Sequence, residues 1–490
     1  MYKLHLILKY LRKRRIAWVS LVAVTLCTAM VLVVISVMGG WLRMFRESFH
    51  GLTGDVIVHG ESLSGFPYYQ EMIDRIHTIP HVKRAVPTLE TFGLVNVNNL
   101  VRRGVQVVGY RIDQIGDVNE FPSSLHRQFN SKVEEAEKSG EPLTEQEKDE
   151  LKKKVSFDLP LPPEEYRAIL SRVRNPEKKS GMICGIGVLG IKKDKEGKWP
   201  ERNHLLDLWV NLTVLPIDAE RRGIDTSTPP PQDIFWIVDD SRTGIWQADQ
   251  ASVYVPFDVL QRMLDMDARE ERDPETNTVR KIEARTRDIQ VSALPGNDIY
   301  ELKRQVQKVV DQVIADRAIP AYYPITVETW EESQATFIAA IEKEKALVTI
   351  LFGMISIVAV FLIFCIFYMI VVEKTKDIGI IKSVGATNAG VAGIFLGYGL
   401  AIGVVGAGMG LLFGYLIVHN INWLHEQMFR TLGQRIWDPE VYAFDTIPNT
   451  MDPKEVTVIL VVAMLSALLG AIIPAWRAAR MHPVDALRWE

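Results

Sequence analysis

The sequence predicts an α-helical membrane protein with four transmembrane helices, arranged one plus three. A large α+β domain outside the cytoplasm separates the first helix from the second. Three observations carry this expectation. Runs at 16–38, 346–372, 391–418 and 456–473 contain no Asp, Glu, Lys, Arg or His, and a bilayer crossing needs about 20 apolar residues. The stretch between the first two runs is charged and alternates strand-like and helix-like patterns. Basic residues cluster on one side of the runs, at Arg12 to Arg15, at 373–388 and beyond Arg477, which orients the chain.

Composition narrows the class. The 490 residues are 48% hydrophobic and 24% charged, two populations that segregate into spans and a soluble body. A net charge of -4 gives no general case for nucleic-acid binding. Of three cysteines, Cys27 and Cys365 lie in apolar runs and only Cys184 in the soluble region, which excludes a disulfide framework.

Residues 1–15 place Leu4, Ile7, Leu8 and Leu11 at helical spacing among Lys3, Lys9 and Arg12 to Arg15. That pattern predicts a cytoplasmic basic amphipathic helix lying on an anionic membrane surface. Residues 16–42 form the first span. Its apolar run exceeds the roughly 7–15 residues of a signal-peptide core, and no small-residue cleavage site follows. It is expected to remain uncleaved.

The outer domain is expected at 43–345. Short strands are predicted at 55–59, 82–86, 93–97, 105–110, 234–238 and 251–255. A helix at 69–77 ends before Pro80. An exposed charged insertion at about 130–155 carries a capping box in Thr144 and Glu147. Leu302, Val306, Val309, Val310 and Val313 mark one helix face, and 226–231 is a loop. A stalk at 330–345 is expected to run as one helix straight into span two.

Spans two, three and four are expected at 346–372, 389–418 and 455–474. The segment 419–454 is an outer loop and 475–490 a cytoplasmic tail. Between spans two and three, 373–388 is cytoplasmic. There Ile378, Ile380, Ile381 and Val384 form an apolar cluster among Glu373, Lys374, Lys376, Asp377 and Lys382. A loop that only reversed the chain could be wholly polar. This one looks built to be gripped by a partner, the alternative being an interfacial loop resting on lipid.

Span three carries Gly393/Gly397, Gly399/Gly403, Gly406/Gly410 and Gly410/Gly414, each pair four apart. Small residues at that spacing allow close helix approach, within the bundle or across a dimer. No ionisable residue interrupts any apolar run, which argues against ion-coupled transport.

Motifs for catalysis are weak. Gly185, Gly187 and Gly190 fit G-x-G-x-x-G, but no helix pattern follows. Ile191 stands where a P-loop would need Lys, so no Walker site is expected in this chain. His77 and His81 have metal-like spacing broken by Pro80. Asn211 and Thr213 form a glycosylation sequon. No nucleophile–base arrangement is evident. The expectation is no catalytic, cofactor or metal site.

Taken together, these pieces resemble the MacB/FtsX superfamily of ABC-transporter permeases. Residues 373–387, EKTKDIGIIKSVGAT, resemble the family's coupling helix, and 474–490, PAWRAARMHPVDALRWE, its C-terminal signature. Thr329, Trp330 and Glu331 with Phe337, Glu344 and Lys345 resemble its stalk. Thr243, Gly244, Asp249 and VYVP at 253–256 resemble its outer-domain pattern. The wording leans toward the lipoprotein-releasing LolC/LolE-type permeases, from which the charged insertion departs.

The resemblance implies a multi-pass protein of the bacterial cytoplasmic (inner) membrane, with both termini cytoplasmic and the large domain periplasmic. It implies a partner ABC ATPase dimer carrying ATP and Mg, docked on the cluster from Glu373 to Val384. It further implies a second permease subunit, identical or paralogous, and a periplasmic carrier or adaptor. Lipoprotein release is the expected role. MacB-like efflux of a drug or peptide, and FtsX-like activation of a cell-wall hydrolase, are the alternatives.

Overall fold

The computed structural model describes residues 15–97, 101–158, 180–188, 190–191, 206, 208–218, 223–224, 228–272, 279–432, 437, 444 and 446–488. The amphipathic helix expected at 1–15 lies outside them, apart from Arg15. Among the described residues, four helices are long and apolar enough to cross a membrane. They are α1 (Arg15–Leu52), α7 (Ala335–Glu373), α9 (Asn388–His419) and α11 (Pro453–Arg480). One precedes and three follow an α+β domain, as the sequence predicts.

The chain divides into two units. The helical unit comprises 1–45, 337–438 and 446–490. Its core brings Ile363, Ile366, Phe367 and Ile370 of α7 against Val24 of α1, Tyr398 and Ile402 of α9, and Ala467 and Ala471 of α11. Near one end, Lys345 Nζ donates to Glu455 Oε1 at 2.7 Å. Glu455 lies in the first turn of α11, where a carboxylate also meets the positive end of the helix dipole. Gly39 of α1 leaves room for that carboxylate, since a Cβ there would sit 3.0 Å from Glu455 Oε2.

Two expectations are refined. The stalk runs as one helix with span two from Ala335 onward, as α7, but its first residues do not: Trp330–Ser333 form a separate turn capped by Thr329, and Gln334 breaks the path before α7 begins. The segment 419–454, expected as a loop, is not only loop. It contains α10 (Ile421–Leu432), whose apolar Ile421, Leu424 and Met428 recur at helical spacing.

The second unit comprises 46–336 with 439–445. The strands of its large sheet are β1 (Val56–Gly60), β2 (Val82–Val97), β3 (Val101–Tyr110), β4 (Ser180–Gly185) and β5 (Trp209–Val214), followed by β6 (Gln232–Ser241), β7 (Ser252–Pro256), β8 (Asp288–Ala293) and β9 (Ile325–Thr329). Their order is β9-β1-β8-β2-β3-β7-β4-β6-β5, and β5 also pairs with β2. That last pairing closes the final six strands into a barrel. The long strand β2 belongs to both halves: Val82 to Thr88 pair with β8, and Leu89 to Val97 pair with β3. The strands expected separately at 82–86 and 93–97 are thus one.

Alternation along the strands sorts two cores. Val105 and Val107, Met182 and Cys184, Phe235 and Ile237, and Val253 and Val255 join the larger core. Their neighbours Val108, Ile183, Trp236, Val238 and Tyr254 face the smaller one, with Phe121, Leu125, Phe129 and Phe157. Helices α2 (Tyr69–Ile76) and α6 (Ile299–Asp316) cover β1, β8 and β9, burying Met72, Ile73, Ile76, Leu302, Val306, Val310 and Val313, and α5 (Phe257–Met263) adds Phe257 and Leu260 to the same core. The charged insertion forms α3 (Ser131–Ser139) and α4 (Glu145–Lys153), and α4 opens on the Thr144/Glu147 capping box.

Candidate functional site

The segment between α7 and α9 folds as a short helix, α8 (Thr375–Ser383). Lys374 interrupts the helical path after Glu373. Thr375 Oγ1 donates to the Val372 carbonyl at 2.8 Å, satisfying an acceptor freed where α7 ends. Beyond α8, Gly385 has φ +104°, a conformation that glycine adopts without a Cβ penalty. Thr387 then caps α9, its Oγ1 accepting from Gly390 N–H at 3.1 Å. Gly385 and Thr387 together set the sharp return of the chain.

The four apolar residues of this segment do not share one face. Ile378 is buried against Val371, Val391 and Ala478, with Ala386, Phe395 and Met481 around them. It is therefore not available to a groove on another protein, contrary to the role the resemblance implies for it. Ile381 is half-buried beside Lys374, Asp377, Val391, Ile394 and Phe395. Ile380 and Val384 point outward, 53% and 83% exposed. They are four apart, one turn of helix, and form a small apolar knob.

The charged residues divide likewise. Lys382 turns back, its Nζ donating to the carbonyls of Ala479 at 2.7 Å and Met481 at 2.6 Å. These carbonyls belong to the C-terminal end of α11, where a cation meets both unpaired acceptors and the helix dipole. Lys374 pairs with Asp377, while Glu373 and Lys376 are exposed. A short helix α12 (Pro483–Arg488) follows α11. Arg477 of α11 donates to Tyr368 Oη of α7 and stacks on its ring, 4.7 Å from the centroid. Neither that contact nor the Lys382 clamp is legible in the sequence, because each joins residues about 100 positions apart.

The glycines of α9 meet neighbours inside the bundle. A Cβ at Gly399 would lie 2.6 Å from Ala471 Cβ, and one at Gly403 3.0 Å from Ala467 Cβ. Gly406, Gly410 and Gly414 instead face α1: added Cβ atoms would lie 2.8 Å from Val24, 2.6 Å from Thr28 and 3.1 Å from Leu32. Gly393 and Gly397 are half-buried. One helix thus approaches α11 and α1 on successive glycines.

The other sequence motifs have structural explanations. Gly185 and Gly187 permit a close approach of Asp249 and Gln250, and Gly187 N–H donates to Asp249 O at 2.9 Å. Asp249 in turn accepts from Thr243 N–H at 2.8 Å and Gly244 N–H at 3.1 Å. Cys184 lies in the larger core, where burial pushes its thiol pKa up. His77 Nε2 accepts from Ala85 N–H at 3.0 Å, and burial holds its pKa down. Among the described residues no cluster of His, Cys, Asp and Glu could hold a metal ion.

Residues 349–483, which contain α8, α9, α11 and most of α7, match the family described as FtsX-like permease C-terminal. This region is thus similar to FtsX-like permease domains. Curated relatives agree with it. A lipoprotein-releasing system transmembrane protein LolC from Xylella fastidiosa is 29% identical over 178 residues, 36% of this chain and 43% of that protein. A LolE from Haemophilus influenzae is 32% identical over 130 residues, 26% of this chain and 31% of that protein. The ABC transporter permease YtrF of Bacillus subtilis is 28% identical over 182 residues, 37% of this chain and 40% of its own. The chain thus spans less than half the length of these relatives. Among solved structures, the periplasmic region of MacB from Actinobacillus actinomycetemcomitans aligns over 60% of this chain and 97% of its own, with 7% identity and a TM-score of 0.27.

Proposed function

We propose that this chain is the permease subunit of an ABC transporter, working with a separate cytoplasmic ATPase dimer and a second permease subunit. The observation that carries the reading is the exposed Ile380/Val384 knob on α8, presented within an FtsX-like permease domain. Ile378 and Lys382 clamp the other side of α8 to α9 and to the end of α11. A helix held on one face and apolar on the other can transmit a push instead of yielding to it.

In this reading Ile380 and Val384 fill a groove on the ATPase, with Ile381 at its edge and Glu373, Lys374, Lys376 and Asp377 along the rim. ATP and Mg belong to the partner, and this chain supplies no catalytic group. The basic residues at 373–388 and in the tail support a cytoplasmic position for α8. Closure of the ATPase on ATP displaces α8. The continuous helix α7, 39 residues and about 58 Å long, carries the displacement away from the docking face. The second permease subunit supplies the second docking helix that an ATPase dimer needs.

The experiment is co-purification from native membranes. Ile380→Asp with Val384→Asp is expected to remove the ATPase while the permease remains folded and membrane-inserted. Undiminished ATPase recovery would overturn the docking assignment. The cargo reading, lipoprotein release from the cytoplasmic membrane to a periplasmic carrier, draws on the printed names of the LolC and LolE relatives. Depleting the permease should then leave outer-membrane lipoproteins in the inner-membrane fraction. Normal lipoprotein sorting under depletion would eliminate that cargo.

A further inference from the structure

The outer end of α9 carries a feature that ATPase docking does not use. Helix α9 ends at His419, and Asn420 Nδ2 donates to the Leu416 carbonyl at 2.8 Å as the chain turns into α10. Phe413, Leu416 and Ile417 on α9, with Asn420, Trp423 and Leu424 beyond the turn, line a groove of about 480 Å³. That volume falls in the range of small-molecule sites, about 300–1,000 Å³. Trp423 is 64% exposed, the bare side of the groove's polar end.

Helix α10 is fixed from behind. Asn422 Nδ2 donates to the Ile447 carbonyl and its Oδ1 accepts from Ile447 N–H, both at 2.9 Å. His425 Nε2 accepts from Trp437 N–H at 3.2 Å. These contacts hold the polar side of α10 against the following segment and leave Trp423 and Leu424 turned toward the groove.

Depth identifies the occupant. Phe413, Leu416 and Ile417 belong to the last turns of a span, and their exposed faces continue a surface that meets hydrocarbon. The apolar run stops at Val418, His419 and Asn420 follow, and Trp423 comes one turn later. An indole just beyond the end of an apolar run sits at headgroup level, its ring against acyl chain and its N–H toward polar groups. Helix α10, amphipathic and adjoining this boundary, matches a helix lying in the interface plane. We propose that this groove holds a phospholipid of the outer leaflet, with acyl chain along Phe413, Leu416 and Ile417 and headgroup beside Asn420 and Trp423. The site seats the outer end of α9 at a fixed depth.

The test uses the full chain in phosphatidylethanolamine–phosphatidylglycerol vesicles and compares wild type with Trp423→Phe. The difference between the two emission spectra isolates Trp423 from the other tryptophans. Phospholipids brominated near the glycerol end of the acyl chain should quench more than half of that difference. Bromination near the methyl end should quench it little, and aqueous acrylamide should leave it nearly unchanged. Quenching by acrylamide would place Trp423 in water and overturn the site. Shielding from both quenchers would mean that protein, such as a second copy of the chain, covers the groove, and would overturn it equally. Equal melting temperatures for the two proteins show that the comparison reports position. If Trp423→Phe melts lower, Trp423→Tyr replaces it in the same difference measurement.

Discussion

Gly399 and Gly408 sit on the same helix, nine positions apart, and differ in what a methyl group would meet. At Gly399 it would press on Ala471 at 2.6 Å, and at Gly408 nothing lies within 4 Å. Alanine normally stabilises a helix by about 1 kcal/mol relative to glycine, whereas overpacking costs about 1–3 kcal/mol. Gly399→Ala is therefore expected to lower the melting temperature of the purified protein, and Gly408→Ala to leave it level or raise it. Thermal unfolding in detergent or nanodiscs checks both signs. The spacing of these glycines was legible in the sequence because small-residue periodicity is local. Which neighbour each one meets was not, because α1 and α11 reach α9 from opposite ends of the chain. His59 makes a second residue-scale case. Its Nδ1 lies 2.5 Å from Asp288 Oδ1, and that hydrogen bond holds the imidazole pKa above its ordinary value. A raised histidine stabilises the fold below its unfolded pKa, and the contribution is lost as pH rises through the folded pKa. Melting temperature should fall as pH climbs above the ordinary histidine range, and His59→Gln should flatten that dependence.

At the scale of the element, α8 has one face buried and one face exposed. Ile378→Ala removes a buried side chain and is expected to cost about 2–5 kcal/mol, read as a lower melting temperature. Ile380→Ala, on the exposed side, should leave melting unchanged while weakening ATPase recovery. Lys382→Ala should resemble Ile378→Ala, because two carbonyls at the end of α11 lose a charged donor. The reverse pattern, with Ile380 controlling stability, would reject this division of faces. Composition singled out α8, since four apolar residues among charges are conspicuous in a short connection. It did not separate inward from outward residues, because the sorting depends on Val391, Phe395 and Ala478 packing against one side. Strand β2 shows the same limit. Pro87 and Glu90 interrupt its apolar pattern, yet both stay in the ladder: Pro87 opposite Ile289, Glu90 opposite Val108 with its carboxylate accepting from Gln106 Nε2 at 3.1 Å.

For the molecule as a whole, each unit has its own hydrophobic core, and the α+β unit contains both cores described for it. A fragment spanning 46–336 is therefore expected to fold alone, with a cooperative thermal transition and a β-rich circular dichroism spectrum. A non-cooperative melt would show that the helical unit is required for its stability. The one-plus-three plan could be read from hydropathy because a bilayer imposes a long, uniform signal. The barrel could not, because its closure rests on the β2–β5 pairing of residues more than 100 positions apart, and no local pattern records such a contact.

The pairing of β1 with β9 bears on how the protein is made. Val56 lies opposite Thr329, so the strand that leaves the first span is completed by the strand that leads to the second. At roughly 5–20 residues per second, the ribosome delivers β9 some 15–50 s after β1. Throughout that interval one edge of β1 stays unpaired outside the membrane, open to wrong partners. Loop closure over such a separation also makes the final step slow. Completion of this domain is therefore set by the arrival of its last strand, and a translation arrest placed before residue 325 should leave the half-built domain open to added protease.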